Sequence, residues 1–420
     1  MFFLSLVYSS GAMKVKREIY LKDLRSLREK NLIKVVTGMR RVGKSTLLAD
    51  FRAELLASGV PESRIQSVNF EERRNLRLID WTVLHDEIEA RLDPDGMNYI
   101  FLDEIQMVDN FERMLNSLFV KPNTDLYVTG SNAFLLSGEL ATLLTGRYIS
   151  IHVLPYSFTE YSQAYSQIPQ YSSDAFFRQF LSASTMPEAV TLATSTPEHV
   201  NRYLRGVFDT VVRKDILTRA GIRDAANFEA VAKFAFDTAG SFVSPRSIAN
   251  TFNAGRRKGE TSISHNTVEN YLSHLAGAFA LYKADRYDIQ GKSLLKTQQK
   301  YFAVDLGLKD ALLGSGSNMA SLGRKLENLV YLELLRRNPG AIWVGKHEET
   351  EVDFIVEGYA GERSYYQVAY SAADDATLER ELRPLRKIRD NHPKFILTAD
   401  PDKATYEGIR KINAIDWLAP

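Results

Sequence analysis

Short apolar runs alternate along this chain with amphipathic stretches, and the order is strand, helix, strand. "LIKVVTG" places Ile33, Val35 and Val36 in a buried strand with little polar interruption. "KSTLLADFRAELLASG" follows, with Leu47, Leu48, Phe51, Leu55 and Leu56 at helical spacing and a stop near Gly59. Tyr99 to Leu102 in "MNYIFLDEIQMV" form a second short strand, and "DLYVTGSNAFLL" a third that ends at Thr129, Gly130, Ser131 and Asn132. Helices between buried strands predict a parallel sheet, the pattern of an α/β fold.

Farther along, the rhythm changes. Pro155 in "PYSFTEYSQAYS" breaks a strand and a tyrosine-rich helical region begins. Residues 174–224 read as helical. "NFEAVAKFAFDTAG" is an amphipathic helix, "SPRSIANTFN" a short one with Ser244 as its cap and Pro245 at its first position, and "SISHNTVENYLSHLAGAF" a third. "LYKADRYDIQG" and "KYFAVDLGL" then read as strands. Three helices and a β-hairpin are the pattern of a winged helix. The expected division is an N-terminal extension over 1–20, a core over 21–160, a helical linker over 161–225, a winged-helix-like module over 226–300 and an α/β domain over 301–420.

Composition is compatible with this plan. At 420 residues, 45% hydrophobic and 25% charged, the chain has material for two to four packed cores. Its net charge of +1 neither demands a polyanionic partner nor excludes a local basic patch. The absence of cysteine excludes disulfide and thiolate chemistry. The first residues, "MFFLSLVYSSGAMKVKREIY", have too short an apolar run and no preceding basic residue for a secretory signal. A frayed extension ahead of a start at Met13 is expected instead. No window approaches the ~20 apolar residues of a membrane span, and a cytoplasmic location is expected.

The candidate chemistry lies where the strands end. Gly38 to Ser45 fit G-x-x-x-x-G-K-[ST] between the first strand and its helix. Backbone N–H groups must wrap a phosphate chain, so Gly38 and Gly43 supply close approach and unusual dihedrals. Lys44 reaches the β- and γ-phosphates, and the Ser45 hydroxyl is a ligand for Mg²⁺. Thr46 in the first helical turn and Arg41 inside the loop complete the candidate cofactor-binding set, with Arg41 and its neighbour Arg40 facing phosphate, a partner domain or solvent. Asp103 and Glu104 end the next strand, as ligands of open α/β sheets require. Asp103 is placed to hold the Mg²⁺ and Glu104 to polarise the attacking water. Asn132 and its neighbours either sense the γ-phosphate and orient water or cap the following helix. "YKAD" at Tyr282–Asp285 lacks the asparagine of a guanine reader, so the nucleotide is read as ATP.

Taken together, "VVTGMRRVGKSTLL", "YIFLDEIQ", "LYVTGSNAFLL", "TGRYISIHVLPYSFTEY" and the distal "LENLVYLELLRR…TEVDFIV" resemble the prokaryotic AAA-type ATPases. These are similar to archaeal-type ATPases of the additional-strand, catalytic-glutamate class, and carry a C-terminal domain of unknown function related to PD-(D/E)xK nucleases. The resemblance runs from about Lys16 to Thr398. It implies ATP binding and hydrolysis. It also implies a role for Arg147 in "LTGRYISI", which would reach a γ-phosphate in cis or from a neighbouring subunit of a homo-oligomer; the ordinary reading is a strand-edge ion pair.

In the last segment, Glu327 on a helix and Asp353 on a strand are the carboxylates a metal-dependent nuclease of that fold needs. The next strand should read Glu-x-Lys and reads Gln367–Val368–Ala369, so an inactive nuclease-like domain is expected, with Lys394 or Lys346 as substitutes for the missing lysine. DNA contact by the winged-helix-like module is open. From Ser241 to Gly291 six basic residues (Arg246, Arg256, Arg257, Lys258, Lys283, Arg286) stand against four acidic ones, but His265–Leu275 has no Lys or Arg. The partner is DNA or protein, reached through the two C-terminal modules.

Overall fold

The computed structural model describes residues 15–132, 144, 146–165, 173–255, 262–314, 319–338 and 340–419. The first fourteen residues and the "RRKGE" run at 256–260 therefore lie outside it. The chain is a multi-domain α/β protein, and its contacts divide it into two units.

The first unit runs from Val15 to Pro155 and includes residues 277–279. Five strands form its sheet: β1 (Ile33–Thr37), β2 (Ile65–Asn69), β3 (Asn98–Asp103), β4 (Thr124–Gly130) and β5 (Tyr148–His152). Every pairing is parallel and the order is β2-β3-β4-β1-β5. The phosphate-loop strand β1 and the acidic strand β3 are thus separated by β4. Alternating side chains face opposite layers. Ile100, Leu102, Leu126 and Val128 meet Leu84 and Ile88 of α3 (Trp81–Glu89) and Met114, Leu115 and Leu118 of α4 (Phe111–Phe119) in one core. Phe101 and Tyr127 point the other way, 6.4 and 5.3 Å from the ring of Phe51 on α2 (Lys44–Ala57). Leu47, Leu48, Phe51 and Leu55 are the buried face of α2, while Leu56, expected with them, is 37% exposed because it lies about 100° around the helix from Leu55.

The expected extension over 1–20 does not end where the core begins. Helix α1 (Glu18–Leu27) already starts at Glu18, Val15 and Arg17 are buried, and Arg17 donates to the carbonyls of Val42 (3.0 Å) and Leu154 (2.8 Å). Residues from Val15 onward therefore belong to the core, tied to it by this guanidinium.

One buried charge interrupts the apolar sheet. Lys34 of β1 is fully buried beside Asp125 of β4, and the two form an ion pair. Tyr127 Oη (2.7 Å) and the Glu29 N–H (2.8 Å) donate to the same carboxylate. Burial pulls the Lys34 ammonium below its ordinary pKa, against the opposing pull of Asp125.

The second unit holds the remainder of the described chain. Helices α5 (Phe158–Ala164), α6 (Ser173–Phe180), α7 (Pro187–Ser195) and α8 (Val200–Thr210) come first, and the last runs on as a π-helical stretch over Val211–Leu217. The three expected helices follow as α9 (Ala225–Asp237), α10 (Pro245–Ala254) and α11 (His265–Gly277). Ser244 caps α10 by accepting from Ser247 N–H. The strands of this unit are β6 (Phe242–Val243), between α9 and α10, and then β7 (Leu281–Asp288), β8 (Ser293–Ala303), β9 (Ala341–His347), β10 (Thr350–Glu357), β11 (Arg363–Val368), β12 (Lys394–Thr398), β13 (Ala404–Tyr406) and β14 (Ile409–Asn413), with α12 (Leu306–Leu313), α13 (Met319–Arg337), α14 (Asp375–Lys387) and α15 (Ala414–Leu418). All nine strands share one mixed sheet, ordered β13-β14-β12-β11-β10-β9-β7-β8-β6. This corrects the boundary expected at 300/301. It falls inside β8, and β7 pairs in parallel with β9 over Asp285–Asp288. The hairpin is a shared strand pair of the C-terminal sheet rather than a free wing, since each of its strands has a partner on its other side as well.

Removing one partner of a buried pair leaves an uncompensated charge. Asp125→Ala should lower the stability of the first unit by about 3–5 kcal/mol, and Lys34→Met with Asp125→Leu should recover much of that loss. Urea unfolding followed by tyrosine fluorescence checks both; equal stability of Asp125→Ala and wild type would mean that the pair is not buried in solution.

Candidate functional site

The parallel register brings four strand ends together. Thr37 pairs with Gly130 and with His152, Leu102 with Val128, and Asn69 with Asp103. The Gly38–Ser45 loop, Asp103–Glu104 and Ser131–Asn132 therefore open at one end of the sheet. The loop has the backbone its motif requires. Gly38, Arg41 and Gly43 all have positive φ, at 143°, 71° and 96°. A Cβ added at Gly38 would stand 2.3 Å from the Val153 carbonyl oxygen, so no side chain fits. Gly43 directly precedes α2 as its N-cap, and no side chain caps that helix start. Lys44 is buried, and its ammonium donates to the carbonyls of Gly38 (3.0 Å) and Met39 (3.1 Å). Ser45, Thr46 and Arg41 are exposed. Arg40 pairs with Glu71 at 2.8 Å. Backbone N–H groups turned inward by such φ values, a helix start and a lysine form an anion cradle. The donor set therefore suits a chain of phosphates.

The acidic side of the site is held by hydrogen bonds from its neighbours. Asp103 accepts from Asn69 Nδ2 at 2.9 Å and from Thr129 Oγ1. Glu104 is buried in a left-handed conformation (φ 58°), which turns its side chain away from the strand. Its N–H donates to Thr129 Oγ1 (2.9 Å), and its carboxylate accepts from Ser131 Oγ (3.2 Å) and from the Gln106 amide. Thr129 and Ser131 thus position both acids across β4, which the sequence pattern alone did not assign to them. Asn132 is buried at the end of the same strand.

His152 is a site residue that the sequence reading missed. Its Nδ1 lies 3.1 Å from Thr37 Oγ1, and burial, with a smaller push from Lys44, lowers its pKa to about 4. A lone histidine in "YISIHVLPY" carries no motif, so only the register of β5 against β1 could reveal it.

Arg147 is not brought to this end. Its carbonyl accepts from Ile33 N–H at 2.7 Å, at the start of β1, a strand length of roughly 16 Å from the loop. Its guanidinium donates to Asn116 Oδ1 (2.7 Å) and lies 5.5 Å from the Phe119 ring centroid. This corrects the cis role, because the residue immediately precedes β5 and parallel strands put their starts at the opposite edge.

In the second unit, Glu327, Glu351 and Asp353 come together. Lys300 of β8 lies among them, 2.8 Å from Glu327, paired with Glu351 and 4.0 Å from Asp353. Burial opposes its charge, but the carboxylates outweigh burial and raise its pKa. Burial also raises the carboxyls of Glu327 and Asp353. Of the two lysines expected as substitutes, Lys394 is elsewhere and donates to Asp390, whereas Lys346 of β9 stands opposite Glu351 of β10 in the strand register. Gln367 donates to Glu381 at 2.9 Å.

With this geometry in view, comparison with known proteins gives a consistent first answer. Residues 30–162, which hold the five-stranded sheet and its loop, match the model of an AAA domain. Over 408 residues the chain is 37% identical to an uncharacterized protein of Haemophilus influenzae, covering 96% of this chain and 98% of that one. The chain belongs to that protein's family. The chain is also similar to an uncharacterized protein of Methanocaldococcus jannaschii, 27% identical over 401 residues, 92% of this chain and 84% of that one. Residues 175–318 match a domain of unknown function. Among solved structures, the ORC1 protein of Aeropyrum pernix in complex with DNA has 14% identity and a TM-score of 0.30, covering 73% of this chain and 94% of that one. The replication initiator DnaA bound to AMPPCP and single-stranded DNA has 14% identity and a TM-score of 0.33, covering 63% and 89%. Superpositions that weak assign no partner to this family member. Among the described residues, no helix is long and apolar enough to cross a membrane.

His152 titrates less readily folded than unfolded, so the unfolded chain takes up the extra proton and stability falls as pH drops from about 6.5 towards 4. His152→Gln should flatten that part of the curve; thermal melts of both proteins at pH 4.5 and 7 provide the comparison.

Proposed function

We propose that this AAA-domain protein binds ATP with Mg²⁺ at the Lys44 loop, hydrolyses it, and uses the cycle to drive or gate contact with a macromolecular partner, DNA or protein. The observation that carries the reading is Glu104, a buried carboxylate at the loop's end of the sheet, oriented by Ser131, Gln106 and Thr129. Gly38, Arg41, Gly43, Ser45 and Thr46 cradle the phosphates with Lys44 as their main charge partner. Ser45 and Asp103 hold the metal, which neutralises charge on the phosphates when bound. Glu104 accepts the proton of an attacking water or aligns it, and Asn132 assists from the end of β4. A second reading treats ATP as a ligand that gates binding with negligible turnover. Arg147 acts, on this proposal, only from a second copy of the chain. The location is cytoplasmic.

The C-terminal domain is read as nuclease-like and inactive. Support comes from Gln367 and Ala369 in place of the acid and the lysine, and from Lys300 already neutralising part of the Glu327–Asp353 cluster.

Lys44→Ala should abolish tight ATP binding, and Glu104→Gln should keep binding while reducing phosphate release at least a hundredfold. Steady-state phosphate release with and without DNA separates turnover from gating; full turnover by Glu104→Gln would sink the assignment. Arg147→Ala should leave ATP affinity unchanged. Restored activity on mixing it with Lys44→Ala would support action between copies, and none would reduce Arg147 to its Asn116 contact.

A further inference from the structure

A cleft of about 980 Å³ opens in the second unit beside α14. Arg380, Arg383, Arg386 and Lys387 line it from the helix, Arg389 from just beyond, and His347 from the end of β9. Its only carboxylates are Glu348 and Glu379, an excess of positive charge in a chain whose net charge is +1. The buried face of the same helix explains why this face is free. Leu382 and Leu385 pack into the sheet core with Val352, Ile355 and Ile396, which leaves Arg380, Arg383 and Arg386 outward. Their three-residue steps each advance about 4.5 Å along the helix, so the cations form a row rather than a point.

The bland alternative is a solvated helix end. It covers Arg386 and Lys387, which sit in the last turn where cations favour the helix dipole. Those two also have acidic partners, Glu379 and Glu407 for Arg386 and Glu348 for Lys387, and Arg380 is paired with Glu381 at 2.7 Å. It does not cover Arg383, in mid-helix, or Arg389, past the helix end. Among the described residues neither makes an ion pair, and both are exposed. His347 Nδ1, buried at the cleft, has no hydrogen-bond partner. The lining contains no Phe, Tyr or Trp to stack a base and no large aliphatic side chain to hold a nucleoside. What remains is a row of guanidinium groups suited to repeated phosphates.

We infer that the α14 cleft is a docking surface for the phosphate backbone of duplex DNA, bound without regard to base sequence. This goes beyond ATP binding at the Lys44 loop and does not depend on it. The cations act by displacing counterions, so affinity should fall steeply with salt.

The test is fluorescence anisotropy of a labelled 20-base-pair duplex with the full chain, from 50 to 200 mM salt. Arg383→Ala with Arg389→Ala removes exposed, unpaired side chains, and a thermal melt verifies that the fold is kept. The double variant should bind more weakly and flatten the plot of log affinity against log salt by about 1.8, roughly 0.9 for each phosphate no longer neutralised. Lys44→Ala should retain the wild-type slope, which separates failure here from failure of the ATP reading. A mixed-sequence and an AT-only duplex should bind alike. Wild-type protein that does not bind duplex at 50 mM salt, or a double variant with unchanged affinity and slope, overturns the inference and leaves a solvated face. Single-stranded RNA bound more tightly than the duplex would also overturn it.

Discussion

The close approach of Gly38 to the Val153 carbonyl is the constraint on which the nucleotide site depends. The chain leaving β1 must turn beneath the chain leaving β5, and only a residue without a Cβ can do so. Arg17 secures the same place from a third segment, bonding Val42 in the loop and Leu154 after β5. With the loop backbone held there, the carbonyls of Gly38 and Met39 keep Lys44 folded into the cradle. A lysine pre-placed in this way loses less rotational freedom when an anion arrives.

The insertion of β4 between β1 and β3 supplies the other half of the arrangement. It moves the acidic pair one strand away from the loop and puts Thr129 and Ser131 in the gap, where their hydroxyls bridge to Asp103 and Glu104. The same packing buries the charge of Lys34. It is compensated by Asp125, whose remaining capacity is filled by Tyr127 and Glu29. A buried pair satisfied on all sides favours one register of β1 against β4, since a slip of one residue would expose Lys34 to apolar neighbours.

The second unit solves a comparable electrostatic problem differently. Glu327, Glu351 and Asp353 come from one helix and one strand, yet their counter-charge comes from β8, far away in sequence. Lys300 reaches them because β8 and β7 are built into the same sheet as β9 and β10.

What the sequence determined by itself were the features set by local spacing. The loop at Gly38–Ser45, the acids at the end of a short apolar strand, the face of α2 down to Leu55, and the Ser244–Pro245 start of α10 all follow from residue types at fixed intervals, because dihedral freedom, helical period and capping act over a few residues. Tertiary structure decided the rest. His152, Arg17, Lys34 and Lys300 are single polar residues in ordinary surroundings, and their roles come from strands and segments that meet only when the sheets form. Arg147 shows the same limit in reverse: the family resemblance of its segment implied a phosphate, but parallel strands carry their starts and their ends to opposite edges of the sheet, and no reading along the chain measures that separation.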